Sequence, residues 1–218
     1  MRCIKMASNE NPFGPSPRAV EAMRAAAKQA NLYPDDGAEK LRCELAARFD
    51  INPEQVLVTA GSTELINDLA RIQLAPGLNG ITSRLSFIIY RTAVQAGGGR
   101  LIEVPVRDSG FDLGAIAAAI DQHTRLIYLA NPNNPTGSMF DAAGLDRFLD
   151  RVPQNVIVAL DEAYFDSPPI SRQCEGWPIR VRWMMCAGGA RTCLSCEPSP
   201  RPTDWRDCGL ATVSELRS

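Results

Sequence analysis

The sequence predicts an α/β protein, a three-layer αβα stack with a mostly parallel sheet between its helices. Three observations carry that expectation. Segments of strand character alternate with segments of helical periodicity from residue 16 to residue 160. The strands are short unbroken apolar runs such as Gln55-Val-Leu-Val-Thr59 and Arg125-Leu-Ile-Tyr-Leu-Ala130, and unbroken apolar strands belong to sheets covered on both faces. Polar clusters follow three of these runs, at the carboxyl ends where parallel sheets bind ligands.

The elements follow in order. Ser16-Pro17 reads as an N-cap with proline at the first helical position, opening a helix to about Gln29. Leu41, Leu45 and Phe49 recur every four residues and mark a second, amphipathic helix. Gln55–Thr59 is a short buried strand, and Ser62 to Leu74 a helix with Leu65, Leu69 and Ile72 on one face. Gly80–Ser83 is a short strand followed by a helix through Val94; Leu101–Val106 is a strand and Asp112–Ile120 a helix. Arg125–Ala130 is a strand, Asp141–Asp150 a helix and Asn155–Leu160 a strand.

Composition narrows the function classes. Hydrophobic residues make up 45% and charged residues 22% of the 218, which excludes disordered and collagen-like chains. A net charge of −2 argues against a nucleic-acid or anionic-membrane surface. No apolar run reaches the ~18–20 residues of a membrane span, and Met-Arg-Cys-Ile-Lys-Met at the start lacks a signal-peptide core. With seven cysteines and no secretion signal, the expectation is a cytoplasmic protein with reduced thiols.

The chain changes character near Asp166. Residues 1–166 carry 16 basic and 20 acidic side chains, whereas residues 167–218 carry seven arginines, no lysine and five acids. Those last residues also hold five of the seven cysteines and all three tryptophans, Trp177, Trp183 and Trp205. No periodicity is sustained there, so few regular elements are expected. Cys193-x-x-Cys196 with Cys186 and Cys208 nearby raises the question of zinc, but the spacings match no paired ligand motif, and no metal site is expected.

Three clusters carry the chemistry. Ala60-Gly61-Ser62-Thr63-Glu64, between a strand and a helix, reads either as an ordinary N-cap or as a phosphate site, because small residues at a helix N-terminus expose N–H groups at the positive end of the dipole. Asn131-Pro-Asn-Asn-Pro-Thr-Gly137 is either a rigid loop or a site whose asparagines offer donors that do not titrate. Asp161-Glu-Ala-Tyr164 begins with a carboxylate at the end of a buried strand, which is either a cap or the partner of a cation. Together they ask for a ligand with a phosphate, a polar oxygen and a protonated nitrogen. Pyridoxal phosphate has all three, and a carboxylate at its ring nitrogen keeps the ring an electron sink.

Ser8-Asn-Glu-Asn-Pro-Phe-Gly-Pro-Ser16, Tyr33-Pro-Asp35, Asn131–Gly137 and Asp161–Tyr164 occur in that order. Over about residues 2–166 the chain resembles the histidinol-phosphate aminotransferases, in the fold-type-I class of pyridoxal-phosphate enzymes. The asparagine-proline and Asp-Glu-Ala-Tyr motifs are those of class I/II aminotransferases at large. The Ser-Asn-Glu-Asn-Pro start points to the histidinol-phosphate branch, although threonine-phosphate decarboxylases are similar there. The resemblance implies transfer of an amino group between histidinol phosphate and 2-oxoglutarate, a step of histidine biosynthesis, and a homodimer. It implies that Gly61, Ser62 and Thr63 bind the cofactor phosphate and that Phe87 stacks on the pyridine ring. Asn134 and Tyr164 would donate to the ring hydroxyl oxygen, and Asp161 would hold the ring nitrogen. Tyr33 would reach the cofactor phosphate of the neighbouring subunit. His123, in Asp-Gln-His-Thr, has no motif role and is expected in a surface turn.

The family's Schiff-base lysine follows the Asp-Glu-Ala-Tyr segment. The three lysines here are Lys5, Lys28 and Lys40, all upstream, so no catalytic residue is assigned and an inactive fragment or pseudoenzyme is the alternative of a different class. The tail offers an explanation. Read from the third base of each codon, the degenerate codons of Cys196–Val213 permit Arg-Thr-Phe-Ser-Lys-Ala-His-Gly-Leu-Ala-Gly-Leu-Arg-Ile-Gly-Tyr-Gly, which resembles the family's lysine segment. Both of the later leucines are forced, by Asp204-Trp205 and by Asp207-Cys208. The use of 20 arginines against three lysines fits a GC-rich gene, in which stop codons are rare in other frames. The expected organisation is therefore an N-terminal arm and first helix over 1–35, a partial cofactor-binding large domain over 36–166, and an out-of-frame tail over 167–218 without the family's small domain.

Overall fold

The computed structural model describes residues 9–11, 13–49 and 51–164, and the backbone of Arg191–Glu197 and Gly209–Leu216. Helix α1 spans Pro17–Ala27 and is capped by the Ser16 hydroxyl, which accepts from the Ala19 N–H. Helix α2 is Glu39–Phe49, followed by strand β1, Val56–Thr59, and helix α3, Ser62–Gln73. Strand β2 (Asn79–Ser83), helix α4 (Ile88–Ala96) and strand β3 (Arg100–Val104) come next. Helix α5 (Leu113–Ala118), strand β4 (Thr124–Ala130), helix α6 (Ala142–Leu149) and strand β5 (Ile157–Asp161) follow. Strands β6 (Arg191–Glu197) and β7 (Gly209–Leu216) lie in the segment where few regular elements were expected. The rest of the tail, with the side chains of Cys193 and Cys196, lies outside the described residues.

The seven strands form one sheet in the order β1-β7-β6-β5-β4-β2-β3. Strands β3, β2, β4, β5 and β6 run parallel, and β7 is antiparallel to both its neighbours, β6 and β1. The carboxyl ends of β1, β4 and β5 therefore point to the same edge. Helices cover both faces. On central strand β4, consecutive residues Leu126 to Ala130 are all buried, which requires cover above and below because successive side chains alternate faces. Helix α3 packs on α4, and α5 on α6.

Two details differ from the sequence expectation. β1 is not a buried strand: Val56 is buried but Leu57 is 45% exposed, because β1 is the outermost strand of its end of the sheet. The buried face of α3 is Leu65, Ile66, Leu69 and Ala70, with Ile72 74% exposed. At 3.6 residues per turn Ile72 lies roughly 90° from the middle of that stripe, so it falls outside the contact with α4 and the sheet. His123 sits exposed in the turn before β4, its N–H donating to Asp121 Oδ1, as expected of a surface turn.

Candidate functional site

Helices α1, α5 and α6 begin under a side-chain oxygen, from Ser16, Asp112 and Asp141. Helices α3 and α4 do not: their N-caps are Gly61 and Phe87, and neither supplies a side-chain hydrogen bond. The first N–H groups of a helix have no partner within it, so at these two N-termini the N-cap side chain does not use them. Both border one cleft at the carboxyl edge of the sheet, where Ser62, Phe87, Asn134, Asp161 and Tyr164 line a common space together with Tyr90. Its empty space is about 330 Å³, open mouth included.

The turn before α3 is built by its own residues. Gly61 adopts φ +86°, a conformation that a side chain disfavours. Its N–H donates to the Thr59 carbonyl and its own carbonyl accepts from the Thr59 hydroxyl. Glu64 reaches back to accept from the Ala60 N–H at 2.5 Å. Ser62 is half-buried on the cleft wall, while Thr63 is exposed and outside the lining.

The three asparagines after β4 divide their work. Asn131 is fully buried and clasps Phe140, donating to its carbonyl and accepting from its N–H, both at 3.1 Å. Asn133 is buried as well; its amide donates to the Leu85 carbonyl at 2.7 Å and to Thr136 Oγ1, and its Oδ1 accepts from the Ser86 hydroxyl. The loop closes through Gly137, at φ +69°, whose N–H donates to the Asn133 carbonyl. Only Asn134 turns its amide to the cleft, where Nδ2 lies 3.4 Å from Tyr164 Oη. The Tyr164 oxygen also accepts from Asn9 Nδ2 at 2.9 Å, which brings the N-terminal arm to the cleft mouth.

Asp161 ends β5, 7% exposed. Its Oδ1 accepts from the Ala163 N–H at 3.0 Å and its Oδ2 from the Tyr90 hydroxyl at 2.6 Å. Burial pushes its pKa above the ordinary aspartate value, and the two hydrogen bonds pull against that shift. A buried carboxylate in this position favours a cation beside it. Phe87, half-buried, presents its ring edge-on to Tyr90 at 5.7 Å between centroids.

The structure thus gathers Ser62, Phe87, Asn134, Asp161 and Tyr164 and puts Gly61 behind them. It does not bring Tyr33 to the cleft: that ring is 99% exposed. Sequence reasoning missed Tyr90 and Asn9. The first could have been found from its place one helical turn after Phe87. Chemically the cleft can accept an anion at α3, hold a protonated nitrogen at Asp161, donate to an oxygen from Asn134 and Tyr164, and flank a flat ring with Phe87. Among the described residues there is no cluster of metal-binding side chains, and no helix is long and apolar enough to cross a membrane.

Residues 2–167 match the sequence model of the family described as aminotransferase class I and II. Histidinol-phosphate aminotransferase 2 of Pseudomonas aeruginosa is 47% identical over 163 residues, 75% of this chain and 44% of that protein. The histidinol-phosphate aminotransferase of Moorella thermoacetica is 45% identical over 163 residues, covering 75% and 42%. The fold is similar to the solved structure of histidinol-phosphate aminotransferase from Sinorhizobium meliloti in complex with pyridoxal-5'-phosphate, with a TM-score of 0.80 and 26% identity over 94% of this chain and 54% of that one. The chain spans less than half the length of the curated relatives it matches. On the family match and the shared sheet, the chain belongs to the class I and II aminotransferases.

Proposed function

We propose that the cleft binds pyridoxal phosphate and that the chain corresponds to the cofactor-binding part of a histidinol-phosphate aminotransferase, acting on histidinol phosphate and 2-oxoglutarate in histidine biosynthesis. The observation that carries this reading is the convergence of an uncapped helix N-terminus, a buried carboxylate and a pair of neutral donors on one cleft. An anion site, a carboxylate and neutral donors on one cleft are the groups that a phosphorylated pyridine with a ring hydroxyl calls for. Curated relatives at 45–47% identity are histidinol-phosphate aminotransferases, which supports the substrate.

When bound, the cofactor's protonated ring withdraws electrons from the carbon that carries the substrate's amino group. This chain's residues supply the conditions. The turn at Gly61, whose own N–H donates to the Thr59 carbonyl, would aim the N–H groups of Ser62 and Thr63 at the phosphate, at the positive end of α3. Asp161, ionised once a cation lies beside it, would keep the ring nitrogen protonated. Asn134 and Tyr164 would donate to the ring oxygen, and Phe87 would pack against the ring and exclude water from one side. The exposed Tyr33 and Phe13, at 99% and 92%, support a second copy of the chain covering the arm, with Tyr33 reaching the partner's phosphate. A cytoplasmic location suits this chemistry.

The chain as written binds but does not turn over. Lys5, Lys28 and Lys40 all precede the cleft-forming motifs, and no other side chain offers an amine for the carbonyl of the cofactor. The out-of-frame reading of residues 167–218 accounts for this. Equilibrium dialysis of the purified chain against pyridoxal phosphate, then borohydride reduction and peptide mapping, tests both parts. The expected result is saturable binding that Asp161→Ala weakens, with no adduct on a single lysine and no turnover of histidinol phosphate. Absence of binding would overturn the cofactor reading; a unique lysine adduct with turnover would overturn the claim of inactivity.

A further inference from the structure

The cleft contains a polar contact that the proposed cofactor roles do not use. Tyr90 is completely buried, one turn into α4 from Phe87, and its hydroxyl donates to Asp161 Oδ2 at 2.6 Å. Its ring stacks on that of Tyr128 from β4, with 5.0 Å between centroids and 7° between planes. The Tyr128 hydroxyl in turn donates to the Ile66 carbonyl of α3 at 2.5 Å. The phenol of Tyr90 is thus fixed from behind by a ring that is itself anchored to α3, the helix whose N-terminus borders the cleft.

We propose that Tyr90 is a positioning residue for Asp161: its hydroxyl orients the carboxylate and sustains its negative charge toward the cleft, where a protonated ring nitrogen has to be held. This rests on reading the cleft as a cofactor site. The physical case is an accounting of donors. Asp161 is buried, and burial favours its neutral form. Two donors oppose that, the Ala163 N–H and the Tyr90 hydroxyl. The first is a backbone group of the following turn. The second comes from a different element and can be removed without touching the strand. Among the described residues, the other titratable groups near Asp161 are Tyr164 on the same cleft, the adjacent buried Glu162, and Tyr128, whose hydroxyl is directed to Ile66. No lysine or arginine lines the cleft among the described residues. A carboxylate with no cation of its own depends on its neutral donors to remain ionised until the ligand supplies the charge.

Tyr90→Phe isolates the hydroxyl, because the ring and its stack on Tyr128 are retained. In the ligand-free chain, the ¹³Cγ resonance of Asp161 is followed through a pH titration. The midpoint is expected to move up in Tyr90→Phe and to stay in place in Tyr128→Phe, which loses a buried hydroxyl aimed elsewhere. Replacing Tyr90 with 3-fluorotyrosine, a stronger donor on the same ring, is expected to move the midpoint down. An unchanged midpoint in Tyr90→Phe, or an equal shift in both phenylalanine variants, would overturn the proposal. With pyridoxal phosphate present, the dissociation constant of Tyr90→Phe should rise roughly tenfold or more, the scale of a hydrogen bond to a charged group. An Asp161 midpoint that responds as expected in a wild-type chain that binds no cofactor would overturn the cofactor reading alone.

Discussion

The Asn133 side chain donates to the Leu85 carbonyl across 48 positions of sequence, at 2.7 Å. That bond ties the loop after β4 to the segment that leads into α4, and so keeps Asn134 and Phe87 on one cleft. Asn133→Ala removes three hydrogen bonds, from its amide to the Leu85 carbonyl and Thr136 Oγ1 and to its oxygen from the half-buried Ser86 hydroxyl, and is expected to destabilise the chain by about 1–3 kcal/mol. Asn134→Ala should change stability by less than about 0.5 kcal/mol while weakening pyridoxal phosphate binding. Urea unfolding of the two variants beside dialysis separates them. Equal loss of stability in both would contradict the division of roles.

Gly61 combines φ +86° with open space around its missing side chain: a Cβ built there meets nothing within 4 Å. At φ +86° and ψ 164° Gly61→Ala therefore costs backbone strain, roughly 1–3 kcal/mol, with no clash against the rest of the fold. Because the strain can be relieved by rotating the turn, the N–H groups at the start of α3 should lose their aim and pyridoxal phosphate affinity should fall. Thermal unfolding and dialysis measure the two effects. A full-affinity Gly61→Ala chain would show that the turn does not position the phosphate.

Gly97, at the end of α4, is required by closeness rather than by conformation. Its backbone is ordinary, φ −73°, but a Cβ there would sit 2.6 Å from the Ala70 carbonyl oxygen and 2.9 Å from its carbon. Backbone cannot step aside as a side-chain tip can, so Gly97→Ala is expected to push α4 off α3 at a cost of about 1–3 kcal/mol. Since both helices border the cleft, cofactor affinity should fall with stability. A melting temperature equal to that of the wild type would show that the two helices separate freely.

Much of this was legible in the sequence because the informative residues are those that interrupt periodicity. Gly61, Asn131-Pro132 and Asp161 each end an apolar run, and strand ends are where a parallel sheet presents ligands. Ser16, Asp112 and Asp141 were readable as helix starts because a short oxygen-bearing side chain has a local partner. What was not legible depends on contacts between elements. That Asn131 and Asn133 clasp the scaffold while Asn134 faces the cleft follows from where Phe140 and Leu85 sit, and motif spacing carries no such information. The exposure of Leu57 follows from strand order, with β1 outside β7. The roles of Tyr90 and Tyr128 were hidden because an aromatic in an apolar run reads as core, and both are indeed core by burial while spending their hydroxyls on Asp161 and Ile66.

Asp161 sets stability against binding, and the sign of its pH dependence follows from the direction of its shift. Burial holds its pKa in the folded chain above the ordinary value of 3.8, so the folded state binds the proton more tightly than the unfolded one. The ligand-free fold is therefore most stable where Asp161 is protonated, and loses stability as pH rises from about 3.8 through the raised folded value. Above that value the cost of a buried, uncompensated charge is complete. Asp161→Asn removes the charge, keeps an acceptor for the Tyr90 hydroxyl, and should unfold at a higher temperature than the wild type at pH 7, the difference narrowing as pH falls toward 4. With pyridoxal phosphate the order should reverse, because an amide cannot hold a proton on the ring nitrogen; the affinity should drop roughly tenfold to a hundredfold, the scale of a charged hydrogen bond. Melting curves across pH, with and without the cofactor, check both halves. A variant that melts below the wild type at pH 7 without ligand would show that the Asp161 charge is already neutralised in the empty cleft.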